Sequence, residues 1–213
     1  MTSRAEQKLQ TRRALLDAAL RLSADRGFSS LSLRAITREA GIAPASFYRH
    51  FRDLDDLGLA LVDEVGMALR QLVRRARQRV AEEGEGSVVR LSIQTFMTFA
   101  MNNADLFRLL RGEGSGSTPE FRQALAKEVD RFTADLLEDL VQEGEAAGRP
   151  VAHADLAAEA MVTVAFNLGA SAIDLPPDEQ AKTFERITQE VRIIMRGAEA
   201  MAAGWEPGGN RAR

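Results

Sequence analysis

Residues 31–57 read LSLRAITREAGIAPASFYRHFRDLDDL, and they carry more structural information than any other part of the chain. Ser32 is placed to cap a short helix in which Leu33, Ile36 and Ala40 share one face at spacings of three and four. Gly41 supplies the positive φ of a tight inter-helix turn, and Pro44 suits the first position of a second helix, where its missing N–H is not needed. That helix offers Ser46, Phe47, Tyr48, Arg49 and His50, a set of short donors, flat rings and cations suited to phosphates and base edges. Helix, glycine turn and helix at this spacing predict a helix-turn-helix over about 32–51, able to lay one helix in a DNA major groove.

Charge supports that reading. Residues 1–52 carry ten Lys and Arg against four Asp and Glu, a net of +6, whereas the remainder nets −9, so the overall −3 conceals a split. A basic head on an acidic body suits a polyanion at one end; random surface variation is the other reading.

At 213 residues with 45% hydrophobic side chains the chain can bury a substantial core. The absence of Cys excludes disulfides and thiolate metal sites and fits a reducing cytoplasm. With no long apolar run and no apolar leader in MTSRAEQKLQ, the expectation is a soluble, cytoplasmic protein without a membrane span.

The periodicity predicts an all-α protein of about nine helices. Ser3 and Glu6 form a possible capping box for a first helix ending at Gly27, with Leu15, Ala18, Ala19 and Leu22 as its buried stripe. A long helix runs from Leu54 to about Val80. Its basic stretch RQLVRRARQR (70–79) reads as a solvated face or, alternatively, as a phosphate contact or a run that tunes the hinge. After a loop at 81–87, helices follow from Val88 to Asn102, Ala104 to Arg111, Pro119 to about Gly144 and Asp155 to Ala172, and DLPPDEQ (174–180) starts a final helix to about Ala202. This divides the chain into a DNA-binding head (1–53), a ligand-binding and dimerisation domain (54–203) and a disordered tail (204–213). The helix 155–172 is apolar nearly all round, and its neighbour repeats Phe184, Ile187, Val191, Ile194 and Ala198 at helical steps. Such a pair packs either as the contact of a two-fold homodimer or as ordinary core.

Signatures of catalysis are poor, and no enzyme activity, metal or cofactor is expected. GEGSG (112–116) lacks the Lys-Ser/Thr of a phosphate loop, and the two His, His50 and His153, have no Cys or second His beside them. The central helices are rich in Phe and Met: Phe96, Met97, Phe99 and Ala100, then Phe107 and Leu110, Phe132 and Leu136, Met161 and Phe166. Most such residues are core, but together they are also candidates for lining an apolar ligand cavity.

The arrangement TRRALLDAALRLSADRGFSSLSLRAITREAGIAPASFYRHFRDLDDL (11–57) resembles the DNA-binding domain of TetR-family transcriptional regulators. RQLVRRARQR, TFMTF, FRLLRGEGSG and AEAMVTVAF extend the similarity to the FabR-type repressors of unsaturated fatty acid biosynthesis in that family. Two positions depart from the common pattern: Ala45 stands where Gly is frequent, and Leu54 where a Lys often touches the DNA backbone. The resemblance implies a homodimeric repressor on palindromic double-stranded DNA, with long-chain acyl-CoA or acyl-ACP thioester as effector. It also implies roles. Arg34 would reach a guanine edge or phosphate, Pro44, Ala45, Ser46 and Arg49 would face the groove, and Tyr48 and His50 would bind phosphates. Thr37 and Arg38 would be further backbone contacts, and Phe47 a groove residue or, like Phe51, a core plug.

Overall fold

The computed structural model describes residues 3–26, 28–83, 87–104, 107 and 119–205. Among the described residues it is all-α: α1 (Arg4–Arg26), a 3₁₀ turn (Phe28–Ser30), α2 (Leu33–Glu39), α3 (Pro44–Phe47), α4 (Leu54–Glu83), α5 (Val88–Asn102), α6 (Pro119–Ala146), α7 (Ala154–Ala172) and α8 (Pro177–Ala202). These eight helices are close to the nine expected. Most of the expected helix 104–111, the loop after it and the tail beyond Trp205 lie outside the described residues. No described helix is long and apolar enough to cross a membrane.

Local chemistry sets the helix ends. The capping box of α1 forms reciprocally: the Ser3 N–H donates to Glu6 Oε2 (2.6 Å) and the Glu6 N–H to Ser3 Oγ (3.2 Å). An analogous exchange opens α4, with the Asp56 N–H donating to Asp53 Oδ1 (2.8 Å) and the Arg52 N–H to Asp56 Oδ2 (2.9 Å). Those bonds hold the Asp56 carboxyl below its ordinary range, the backbone bond most of all. α4 runs three residues past the expected Val80, because Ala81, Glu82 and Glu83 are strong helix formers. α6 passes through Gly144 to Ala146. It ends where Gly148 (φ 65°) donates to the Glu145 carbonyl and Arg149 to the Gly144 carbonyl (2.8 Å), the hydrogen-bond pair of a left-handed cap.

The chain forms two compact units: Met1–Ala68 with Asn102–Glu128, and Leu69–Met101 with Val129–Arg213. In the first, Leu15, Leu16, Ala18 and Ala19 of α1 are buried, as are Ile36, Phe47, Phe51 and Leu57, while Leu22 is only half-buried. In the second, the arginine run departs in part from the expectation of a solvated face: Arg74 and Arg75 are exposed, but Arg77 is not. Arg70, Arg74 and Arg77 meet Asp135, Glu138 and Asp139 of α6 at 3.5, 3.8 and 2.5 Å, and Arg77 is buried. Three- and four-residue steps on both helices put cations opposite anions. α7 approaches α5 closely at Gly169, where a Cβ would run into the Phe96 ring. α7 also packs on α8. It is not buried all round: Leu156 on α7 and Ile193 on α8 are 59% and 70% exposed.

Candidate functional site

The helix-turn-helix is built as its residues require. Ser32, in extended backbone, accepts from the Ala35 N–H at Oγ (3.2 Å) and so caps α2. Gly41 adopts φ 67°, with Gly41 donating to the Arg38 carbonyl and Ile42 to the Thr37 carbonyl (2.8 Å), which closes α2 and turns the chain toward α3. α3 itself is shorter than its pattern suggests. It is α-helical over Pro44–Phe47 and then tightens, with Arg49 and His50 donating to the Ser46 and Phe47 carbonyls.

The exposed surface of this motif carries Arg34, Arg38, Pro44, Ala45, Tyr48 and Arg49, with Ser46 and His50 half-buried. Two site expectations are corrected. Phe47 is fully buried, its ring 5.7 Å from those of both Tyr48 and Phe51, so it anchors α3 and cannot touch a groove. Thr37 is 1% exposed and its hydroxyl donates to the Leu33 carbonyl (2.9 Å), which removes it from the backbone-contact set. Phe51 is buried as a core plug, with the Arg12 guanidinium 4.5 Å above its ring.

His50 reveals two residues that the sequence reading did not single out. Burial lowers its pKa from the ordinary 6.5, and the charges of Lys8, Arg12 and Arg49 lower it further. Lys8 and Arg12 of α1 therefore share a field with the recognition segment. Their i, i+4 spacing was the available signal. The result is a cationic surface shared by α1 and the segment after α3, suited to phosphates with Arg49 and Tyr48 presented outward.

Residues 15–61 match the family described as bacterial regulatory proteins, tetR family. The helix-turn-helix head is therefore similar to that family's. Solved structures with the same fold include a transcriptional regulator from Pseudomonas aeruginosa PAO1 (21% identity, TM-score 0.68, 90% of this chain and 91% of that one). FadR from Bacillus subtilis, in complex with stearoyl-CoA, is similar at 17% identity, TM-score 0.68, with 87% of this chain and 98% of that one. The fatty acid degradation regulator FadR from Bacillus halodurans gives 18%, 0.65, 95% and 97%.

The second unit contains a cavity of about 80 Å³ lined by residues of α4 to α8. Of the residues expected to line one, Phe96, Phe132, Leu136, Met161 and Phe166 do so. The rings stack through Phe166, whose centroid lies 5.0 Å from Phe96 and 5.5 Å from Phe132. Met97, Phe99 and Ala100 are not on its wall, because α5 turns Phe96 and Ile93 toward it instead. Phe107 is buried in the first unit, and Leu110 lies outside the described residues. The sequence reading missed the polar wall: Arg77, Ser92, Asp139 and Glu143. Burial and the neighbouring Asp139 raise the Glu143 pKa, and Arg77 opposes them. An adjoining space of about 510 Å³ shares Val88, Val89, Leu140, Glu143 and Met195 with the cavity and adds Arg149, Arg192 and Arg196.

Proposed function

We propose that this protein is a ligand-responsive transcriptional repressor of unsaturated fatty acid biosynthesis genes that senses long-chain acyl thioesters. The observation that carries the reading is the apolar, Phe-lined cavity of the body in a chain whose head is of the tetR type. The stearoyl-CoA bound by Bacillus subtilis FadR is the chemical precedent within the same fold. At 80 Å³ the cavity is smaller than the several hundred Å³ usual for ligand pockets. A long chain enters by repacking Met161 and Met195, whose unbranched side chains adapt to varied shapes.

The head binds a palindromic site as half of a homodimer in the cytoplasm. The dimer forms through α7 and α8, whose exposed Leu156 and Ile193 offer the apolar contact. Ala165 and Val191 of the same helices line the cavity instead, so a charge at Ile193 is the test of the interface. The direct test of function selects an operator from randomised duplex DNA and follows its affinity while titrating palmitoyl-CoA or palmitoleoyl-CoA. The two chains should shift affinity differently, by a factor of about 5–150 for at least one. Identical curves would leave a regulator of another hydrophobic effector.

A further inference from the structure

We infer that the polar wall of the cavity seats an uncharged carbonyl, the thioester C=O of a long acyl chain, and turns away the free carboxylate of the same chain. The inference rests on the acyl reading above and adds to it a rule of ligand selection.

The Arg77 side chain is 7% exposed, and its Nη2 forms an ion pair with Asp139 Oδ2 at 2.5 Å. Its Nε–H has no acceptor, although it is buried and the residue faces the cavity. Ser92 of α5 lines the same space with a buried Oγ that also has no partner. A buried donor left unpaired is costly, and Arg Nε can only donate, so the missing group is an acceptor. A carbonyl oxygen, with two lone pairs, can accept from both.

Charge decides which acceptor. Asp139 already neutralises Arg77, and Glu143 adds a second carboxyl to the same wall. A fatty acid carboxylate would be a third acidic group beside one guanidinium, in a cavity whose remaining wall is apolar. The thioester carbonyl carries no charge and meets no such repulsion. The burial that raises the Glu143 pKa acts on any carboxylate brought alongside it. A cationic head would suit the carboxyls, and could donate to Ser92 Oγ, but would leave the Arg77 Nε–H unpaired, which is why the carbonyl is favoured.

The test uses the full-length protein and four oleoyl probes below their micellar concentrations: oleoyl-CoA, the S-oleoyl thioester of N-acetylcysteamine, oleate and oleylamine. Binding is read by displacement of a fluorescent fatty-acyl reporter at pH 8. Both thioesters should bind, and the N-acetylcysteamine compound, lacking phosphates, isolates the cavity from the arginines of the adjoining space. Oleate should bind roughly ten-fold more weakly or worse, as like-charge juxtaposition demands. Glu143→Gln should close much of that gap by raising oleate affinity. Ser92→Ala should weaken the thioesters and leave oleate unchanged. Oleate binding as tightly as the thioesters to the unmodified protein, or oleylamine outcompeting them, would overturn the carbonyl seat while leaving the acyl reading intact. Failure of every oleoyl compound to bind would remove the acyl reading itself.

Discussion

In the unit that holds the helix-turn-helix, Arg34, Arg38 and Arg49 stand exposed over a core of Leu15, Ile36 and Phe47. In the other unit, Arg70 and Arg77 are drawn against α6, and Arg77 is buried at a cavity wall. The stretches carrying these arginines look equally basic in sequence. What differs is whether a neighbouring helix repeats carboxylates at a matching step. Where it does, the cations join the packing; where it does not, they stay available for a ligand in solution.

The strongest way to sharpen that contrast is to remove an anchor beneath the exposed cations. Phe47→Ala should cost about 3–5 kcal/mol, because a fully buried ring leaves a cavity that the four-residue α3 cannot close. Urea denaturation gives the loss, and hydrogen exchange should place it in residues 15–61, with α5, α7 and α8 retaining protection. Uniform loss across the chain would mean that the units are not energetically distinct.

Exchanging the two kinds of arginine comes next. Arg77→Ala strands Asp139 in a mostly buried position, with an expected cost of about 3 kcal/mol. Arg49→Ala should change stability by no more than about 0.5 kcal/mol yet weaken operator binding strongly, and Tyr48→Phe should weaken it less. A stability-neutral Arg77→Ala would break the comparison outright.

Backbone devices of the head should register below these. Gly41→Ala forces a Cβ into left-handed backbone at about 1–2 kcal/mol with no neighbour to clash with, so Gly41→Asn should recover part of the loss. Ser32→Ala removes one capping acceptor, about 1 kcal/mol. Thermal midpoints of the three variants resolve the order.

The smallest expected effect is the titration of His50. Its folded-state pKa lies below the ordinary 6.5, from burial first and then the charges of Lys8, Arg12 and Arg49. The unfolded chain therefore takes up the proton first. Stability falls as pH drops below about 6.5 and levels off once the folded form is also protonated. His50→Gln should flatten that part of the profile. Operator binding should tighten over the same interval in the unmodified protein, since a phosphate favours the imidazolium. An unchanged profile in the variant would place the slope elsewhere.

The contrast also explains what could be read in advance. Ser3–Glu6, Ser32, Gly41 and Pro44 were legible because each acts within about four residues of itself. Arg77 was not, because its partner Asp139 belongs to another helix and only the joint spacing of the two runs connects them. The cavity divides in the same way. Phe96, Phe132 and Phe166 were identifiable as apolar, but the rotation that turns Phe96 inward and leaves Met97 off the wall depends on contacts such as Gly169 on α7. Thr37 and Phe47 resembled DNA-contact residues by position, and only their burial assigns them to the core.

The seclusion of the Arg77–Asp139 pair has a consequence for ionic strength. Mobile ions screen charges across water over about 8–10 Å at moderate salt, but a pair enclosed by protein is largely beyond their reach. Cations of the head that neutralise phosphates release condensed counterions, so DNA affinity should fall steeply with added salt. Binding of an uncharged acyl probe at the cavity should hardly move. Raising potassium chloride should therefore strip the protein from DNA while leaving it loaded, making the two binding reactions of one chain separable by salt alone.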